Sequence, residues 1–263
     1  MNGFLGAVSF LTRVPTGTGT RRPEELAGFV PWFPAVGAGV GLAVAAVYVG
    51  AGQLLPPLPA ASLAVVAGIC LTGAFHEDGL GDTADAFAGG HDRDSTVRIL
   101  KDPRLGTFGG LAVAASLLLR AGAVAALTPA AALAALPAAH ALSRAGAVAA
   151  MTALPAAGDT GLGASYVLAL SRRRALAGAV AGLAIALALL GVTAVWAAAA
   201  AAVAAALLGR LAVRRIGGVT GDVLGAVQQL GEILTLLVAV AVTGAPGWES
   251  PVSSVLALVS GSS

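Results

Sequence analysis

Residues 175 to 213 are apolar apart from Arg210. That is about twice the length one helix needs to cross roughly 30 Å of hydrocarbon at 1.5 Å per residue. A backbone with no water to bond must satisfy its own amides and carbonyls, so a stretch like this can only be helical. Gly191 and Thr193 near its middle divide it into two antiparallel spans. Further apolar segments at 29–55, 60–75, 107–127, 129–151 and 219–243 bring the expected number to seven. The expected fold is therefore all-α, a polytopic integral membrane helical bundle of about seven transmembrane helices in one domain, residues 1–263. Residues 3–12 are too few to cross and are read as a short interfacial or re-entrant helix, closed by Thr12-Arg13-Val14-Pro15. The apolar patch at 252–259 is also too short.

Composition agrees: 57% of residues are hydrophobic and 11% are charged, where a soluble domain carries about 25% charged residues. Abundant Ala and Gly suit helices that must pack closely in lipid. The net charge of +2 does not indicate nucleic acid, because the basic residues are few and scattered over separate loops. Arg13, Arg21 and Arg22 precede the first span. Arg93, Arg98, Lys101 and Arg104 follow the second, Arg172, Arg173 and Arg174 the fourth, and Arg210, Arg214 and Arg215 flank the exit from the sixth. The remaining connections and the tail carry no Lys or Arg. By the positive-inside rule this alternation places the N-terminus and the charged loops in the cytoplasm of a multi-pass cell-membrane protein, with the tail outside. The single cysteine, Cys70, excludes an internal disulfide. The N-terminus lacks the basic region and small-residue cleavage site of a signal peptide. The sequence is compatible with a homo-oligomer.

The chain has 13 acidic residues, and four of them fall within His76-Glu77-Asp78-Gly79-Leu80-Gly81-Asp82-Thr83-Ala84-Asp85. The second span is expected to continue as helix into this stretch. Asp78, Asp82 and Asp85 are spaced i, i+4, i+7 and project from one helical face. Carboxylates so crowded repel one another, so a divalent cation is their natural partner, and hard oxygen ligands favour Mg²⁺ or Mn²⁺. A solvated acidic helix end is the plainer alternative. His76 could orient a carboxylate, ligate the metal or accept a proton. Lys101-Asp102-Pro103-Arg104-Leu105-Gly106-Thr107-Phe108-Gly109-Gly110 opens the third span with cations beside backbone amides, a phosphate-cradle pattern. Asp222 opens the last span, with Gln229 and Glu232 on the same face, and intramembrane acids usually face a functional interior. His140, Arg144 and Arg120 either share that interior or pair with an internal carboxylate.

These motifs, together with Phe10-Leu11-Thr12-Arg13-Val14-Pro15 and Thr220-Gly221-Asp222-Val223-Leu224-Gly225-Ala226, closely resemble the cobalamin synthase family of adenosylcobinamide-GDP ribazoletransferases. The resemblance runs through the whole chain in order. Glu77 stands where the family often has another residue. The resemblance implies that α-ribazole or its 5′-phosphate attacks, through its 5′ end, the phosphorus nearer the cobinamide of adenosylcobinamide-GDP. GMP leaves, and adenosylcobalamin or its 5′-phosphate results. On that reading Asp78, Asp82 and Asp85 hold Mg²⁺ or Mn²⁺. Asp82, Asp85, Asp222 and His76 form the catalytic group, with Asp222 completing the metal site or acting as base. Arg13, Lys101, Asp102, Arg104, Gly106 and Thr107 bind the diphosphate substrate. A CDP-alcohol phosphotransferase would use similar chemistry but wants an Ala-Arg pair after the Asp-Gly and a Gly-xxx-Asp-xxx-Asp pattern, both absent. A cation or cobinamide transporter would instead use Asp222, Glu232, His140 and Arg144 as a path.

Overall fold

The computed structural model describes residues 3–17, 27–158 and 170–243. Arg21, Arg22 and the apolar patch at 252–259 lie outside the described residues. The described residues form ten α-helices: α1 (Gly3–Leu11), α2 (Phe33–Ala51, entered through a 3₁₀ turn at Val30–Trp32), α3 (Pro57–Thr72), α4 (Phe75–Gly89), α5 (Arg93–Leu100), α6 (Thr107–Ala125), α7 (Pro129–Ala153), α8 (Arg172–Leu190), α9 (Thr193–Ile216) and α10 (Gly221–Thr243). Among these residues the only β pairing is a single bridge between Ala156 and Val219. The all-helical, polytopic expectation holds.

Local chemistry sets the boundaries. Proline stands in the first turn of α2, α3 and α7, where its missing N–H would have no partner anyway. Thr128 caps α7 by accepting from the Ala131 amide at 3.2 Å. Asp92 and Ser95 close a reciprocal capping box on α5. Gly217 ends α9 at φ 85°, a left-handed position where a side chain would be strained. The expected division of 175–213 falls at Gly191 and Val192, between α8 and α9.

Five helix units are long and apolar enough to cross a membrane: Val30–Ala51, which includes α2, then α6, α8, α9 and α10. The pair α3 and α4 qualifies only as one unit bent by 92°. The second span therefore does not run straight into the acidic stretch as expected. It breaks at Gly73 and Ala74, both left-handed, and α4 turns away. The remaining expected span, α7, is 25 residues long but carries Pro137, His140, Ser143 and Arg144 and is not among the helices apolar enough to cross. It is the centre of the bundle, buried along most of its length and packed against α2, α8 and α10.

Glycine lets α2 approach α7. A methyl group on Gly37 would strike the His140 carbonyl and the Arg144 stem, and one on Gly41 would strike the backbone at Leu136 and Pro137. Gly37 and Gly41 are thus a small-xxx-small pair working in close helix contact. Large apolar side chains such as Leu118, Leu176 and Trp196 point outward, as lipid-facing residues do. The charged loops gather at one end of the bundle. Arg215 donates to the Gly90 carbonyl at 2.8 Å, and the Val219 amide donates to Pro155 at 2.8 Å, which ties the start of α10 to the exit of α7.

Candidate active site

The break between α3 and α4 brings the acidic stretch into the charged end of the bundle. Arg13 holds that break: its amide donates to the Leu71 carbonyl at 2.8 Å, and its guanidinium lies where a side chain on Gly73 would have to go. Beyond the break His76 and Glu77 are buried, Asp78 is exposed, Asp82 is half-buried and Asp85 is buried. Gly79 faces the Asp222 backbone so closely that a Cβ there would stand 2.8 Å from its carbonyl oxygen. The first turn of α10 therefore lies directly on α4. Asp82 feels the charges of Asp78, Asp222 and Asp85, so the four carboxylates form one electrostatic group. Among the described residues, no three His, Cys, Asp or Glu side chains close around a point as a preformed metal centre would.

Asp85 has a definite partner. Its two carboxylate oxygens accept from the Gly106 amide at 2.6 Å and the Gly109 amide at 2.8 Å. A carboxylate on α4 thus caps the N-terminus of α6, satisfying donors that helix geometry leaves without a partner. Gly106 and Gly109 must be glycine because a Cβ on either would collide with that carboxylate. The amide cradle expected at Gly106 and Thr107 is in this respect a correction: the Gly106 and Gly109 donors serve Asp85 and are not free for a phosphate. The sequence signal was present in the two glycines, but nothing in their spacing names Asp85 as the group they admit.

The loop ahead of α6 keeps its charges apart from this cap. Arg104 donates to Asp102 through Nε at 2.9 Å and a terminal nitrogen at 2.6 Å, and this fork holds the Asp102 carboxyl down at about 2. Arg104 is well exposed, so the pair is solvated. Thr107 is exposed at the start of α6.

A cavity of about 450 Å³ opens beside the carboxylates. Asp78, Asp222, Thr220, His76 and Lys101 supply its polar groups, together with Arg144. Phe10, Phe33 and Phe75 form one aromatic wall, with Phe10 stacked on Phe33 at 5.5 Å and meeting Phe75 edge-on at 5.2 Å. Of the residues singled out in the sequence, His76, Asp78, Lys101, Arg144 and Asp222 line the cavity, whereas Arg13, Asp82, Asp85, Asp102, Arg104, Gly106, Thr107, Arg120 and His140 do not.

Below the cavity lies a buried polar network. Arg120 pairs with Glu77 at 2.9 Å and with Glu232 at 3.3 Å, and His140 meets Glu232 at 3.4 Å. Gln228 donates to Glu232 at 2.7 Å and Gln229 to Glu77 at 3.3 Å, while Ser116 donates to Gln229 at 2.8 Å. Arg120 thus stands between two buried carboxylates, although its Nε and one terminal nitrogen make no hydrogen bond among the described residues. Glu77 is the residue whose place sequence reasoning missed: it adjoins the aspartates in sequence, yet it turns the other way, into the bundle.

A profile of the family described as Cobalamin-5-phosphate synthase matches residues 3–240. The adenosylcobinamide-GDP ribazoletransferase of Bradyrhizobium diazoefficiens is 43% identical over 238 residues, covering 89% of this chain and 92% of that one. The protein of the same name from Mesorhizobium japonicum is 44% identical over 233 residues, covering 88% and 89%. That from Ralstonia nicotianae is 40% identical over 245 residues, covering 90% and 94%. No solved structure matches. The profile reaches into every described helix and takes in the whole carboxylate group, and the chain belongs to the Cobalamin-5-phosphate synthase family.

Proposed function

We propose that this chain joins α-ribazole, or its 5′-phosphate, to adenosylcobinamide-GDP with release of GMP, giving adenosylcobalamin or its 5′-phosphate, as the names of its relatives indicate. The observation that carries this reading is the meeting of Asp78 and Asp222 at the mouth of one cavity that also takes in Lys101. Hard oxygen donors beside a cation suit a metal-bound diphosphate.

Atom balance corrects one expectation. An acceptor attacking through its 5′ end could not yield a product that still carries a 5′-phosphate, so the nucleophile is another ribose hydroxyl. Its oxygen bonds to the phosphorus nearer the cobinamide. The bond from that phosphorus to the bridging oxygen breaks, and GMP leaves with the oxygen. The hydroxyl proton goes to a carboxylate at the cavity mouth, for which Asp222 is placed. Lys101 holds the developing negative charge, and positioning supplies much of the remaining rate.

The donor set fits a divalent metal. Mg²⁺ is commonly held by one or two carboxylates together with substrate phosphates, so a preformed cage is not required. Asp78 and Asp82 would hold Mg²⁺ or Mn²⁺, with Asp222 opposite and Asp85 fixing the start of α6 beside them. When bound, the ion would neutralise charge on the diphosphate. The clustering of the basic loops at the same end supports a cytoplasmic site in a cell-membrane protein.

Purified protein in lipid should release GMP from adenosylcobinamide-GDP only when α-ribazole or its phosphate and Mg²⁺ or Mn²⁺ are all present. Release of a nucleoside monophosphate from a CDP-alcohol instead, or none from either, would overturn the reading.

A further inference from the structure

Arg144 is 2% exposed and lines the cavity, yet among the described residues it makes no ion pair within 4 Å. One terminal nitrogen donates to the His140 carbonyl at 3.0 Å and lies 3.2 Å from His140 Nδ1, while Nε has no partner. The nearby carboxylates Glu77 and Glu232 act on its charge from a distance, but both pair directly with Arg120 instead. A buried cation without a directly bonded anion is expensive, and a ligand that brings one relieves that expense. Gly37 makes the room for this placement, because its missing side chain is where the Arg144 stem passes.

The rest of the cavity narrows the choice of ligand. At about 450 Å³ it falls within the range of small-molecule pockets, and a corrin macrocycle with its amide arms is far too large for it. The guanine end of the other substrate is small enough but carries a row of donors and acceptors. The walls at Phe10, Phe33, Phe75 and Met151 offer that edge nothing, and the polar groups Asp78, Asp222 and Lys101 are those that the proposed reaction already uses, so the edge would be buried without partners. A benzimidazole ring has almost no such edge and stacks well on phenylalanine. We propose that the cavity is the subsite of the aromatic nucleoside acceptor, and that Arg144 binds that acceptor's 5′-phosphate. This rests on the function proposed above. The phosphate on Arg144 and the attacking hydroxyl beside Asp222 and Asp78 then occupy different ends of one nucleoside, as the atom balance requires.

The test uses the full chain in lipid nanodiscs, with two measurements. In steady-state GMP release, Arg144→Gln should raise KM for α-ribazole 5′-phosphate by about 10- to 100-fold, the usual worth of a hydrogen bond to a charged group. KM for unphosphorylated α-ribazole and for adenosylcobinamide-GDP should stay within about twofold, and Arg144→Lys should recover part of the loss. Ala147→Leu, which fills the cavity one turn from Arg144, should weaken both acceptors and leave adenosylcobinamide-GDP unaffected. Equal losses for both acceptors in Arg144→Gln, or a loss confined to adenosylcobinamide-GDP, would overturn the proposal. The second measurement is equilibrium dialysis of α-ribazole 5′-phosphate alone, followed by its benzimidazole fluorescence. Binding that Arg144→Gln abolishes, in a wild type that releases no GMP, would keep the subsite and sink the proposed reaction. Absence of binding to the wild type would sink the subsite itself.

Discussion

The backbone amide of Gly109 donates to the carboxylate of Asp85 at 2.8 Å, across 24 residues and between two helices. With the second bond from Gly106, it makes α4 the N-terminal cap of α6. Asp85→Asn keeps one acceptor but turns an amide N–H toward a backbone N–H. Hydrogen bonds to charged groups are worth about 1.5 to 3 kcal/mol, so this variant should lose roughly 2 kcal/mol of stability. Gly110 is the control: only the tip of Leu105 comes within reach of a Cβ there, at 4.0 Å. Gly110→Ala should melt like the wild type in detergent, whereas Asp85→Asn should melt markedly earlier. Equal melting of the two would mean that the cap is dispensable.

Asp82 and Asp222 test the chemistry rather than the fold. Both are half-buried and neither has an ion-pair partner among the described residues, so the Asn variants remove charge without breaking a salt bridge. Each should lower kcat/KM for GMP release by a factor of about 100 or more, corresponding to about 2.7 kcal/mol of transition-state stabilisation. Asp82→Asn should also need more Mg²⁺ for half-maximal rate. A melting curve unchanged from the wild type would separate this loss from misfolding. Full turnover in Asp82→Asn would remove that residue from the metal site.

Much of this arrangement was legible in the sequence, and the rest has identifiable physical reasons for being hidden. Apolar length gives the helices, and the i, i+4, i+7 spacing gives the aspartate face, because both depend only on helical periodicity. The Gly191 division was readable for the same reason. The 92° bend was not, since Gly73 reads as an ordinary helical glycine and the left-handed turn continues into Ala74, an unfavourable residue for it. The break is stabilised by Arg13, which is remote in sequence. Glu77 had no assigned role in the sequence, since its pairing with Arg120 depends on a helix 43 residues further on. His140 and Arg144 already pointed α7 toward the interior, but its burial along most of its length, which makes it the centre of the bundle, depends on neighbours that the sequence does not name.

Arg120 is bonded to both buried carboxylates of the network, Glu77 and Glu232. Removing it leaves two buried acids with no arginine directly on them, held by His140, Gln228 and Gln229, whereas removing one acid leaves Arg120 with the other. Breaking a buried pair from one side typically costs about 3 to 5 kcal/mol. Arg120→Gln should therefore destabilise the protein by about that much and reduce its yield in membranes. Glu77→Gln should cost clearly less, because Gln229 and Arg120 can still bond the amide oxygen. Thermal unfolding in detergent gives the order, and a Glu77→Gln protein less stable than Arg120→Gln would show that the cation is held by something other than this pair of acids.

The contact between α2 and α7 makes the last prediction, and it separates close packing from simple apolarity. Gly37, Gly39 and Gly41 lie on one helix within five residues, and all are equally small. A Cβ on Gly41 would press into the Leu136 carbonyl and the Pro137 Cα, while one on Gly39 meets nothing within 4 Å. In lipid no hydrophobic effect holds two helices together, so their attraction depends on how closely the backbones approach. Overpacking in a tight contact costs about 1 to 3 kcal/mol, and a substitution facing open space usually stays within about 0.5 kcal/mol. Gly41→Ala should therefore melt several degrees below Gly39→Ala. Because α7 also carries Arg144 at the cavity, Gly41→Ala should weaken acceptor use in GMP release, while Gly39→Ala leaves it unchanged. If both variants behave alike in both assays, α2 does not set the position of α7, and Arg144 reaches the cavity by some other support.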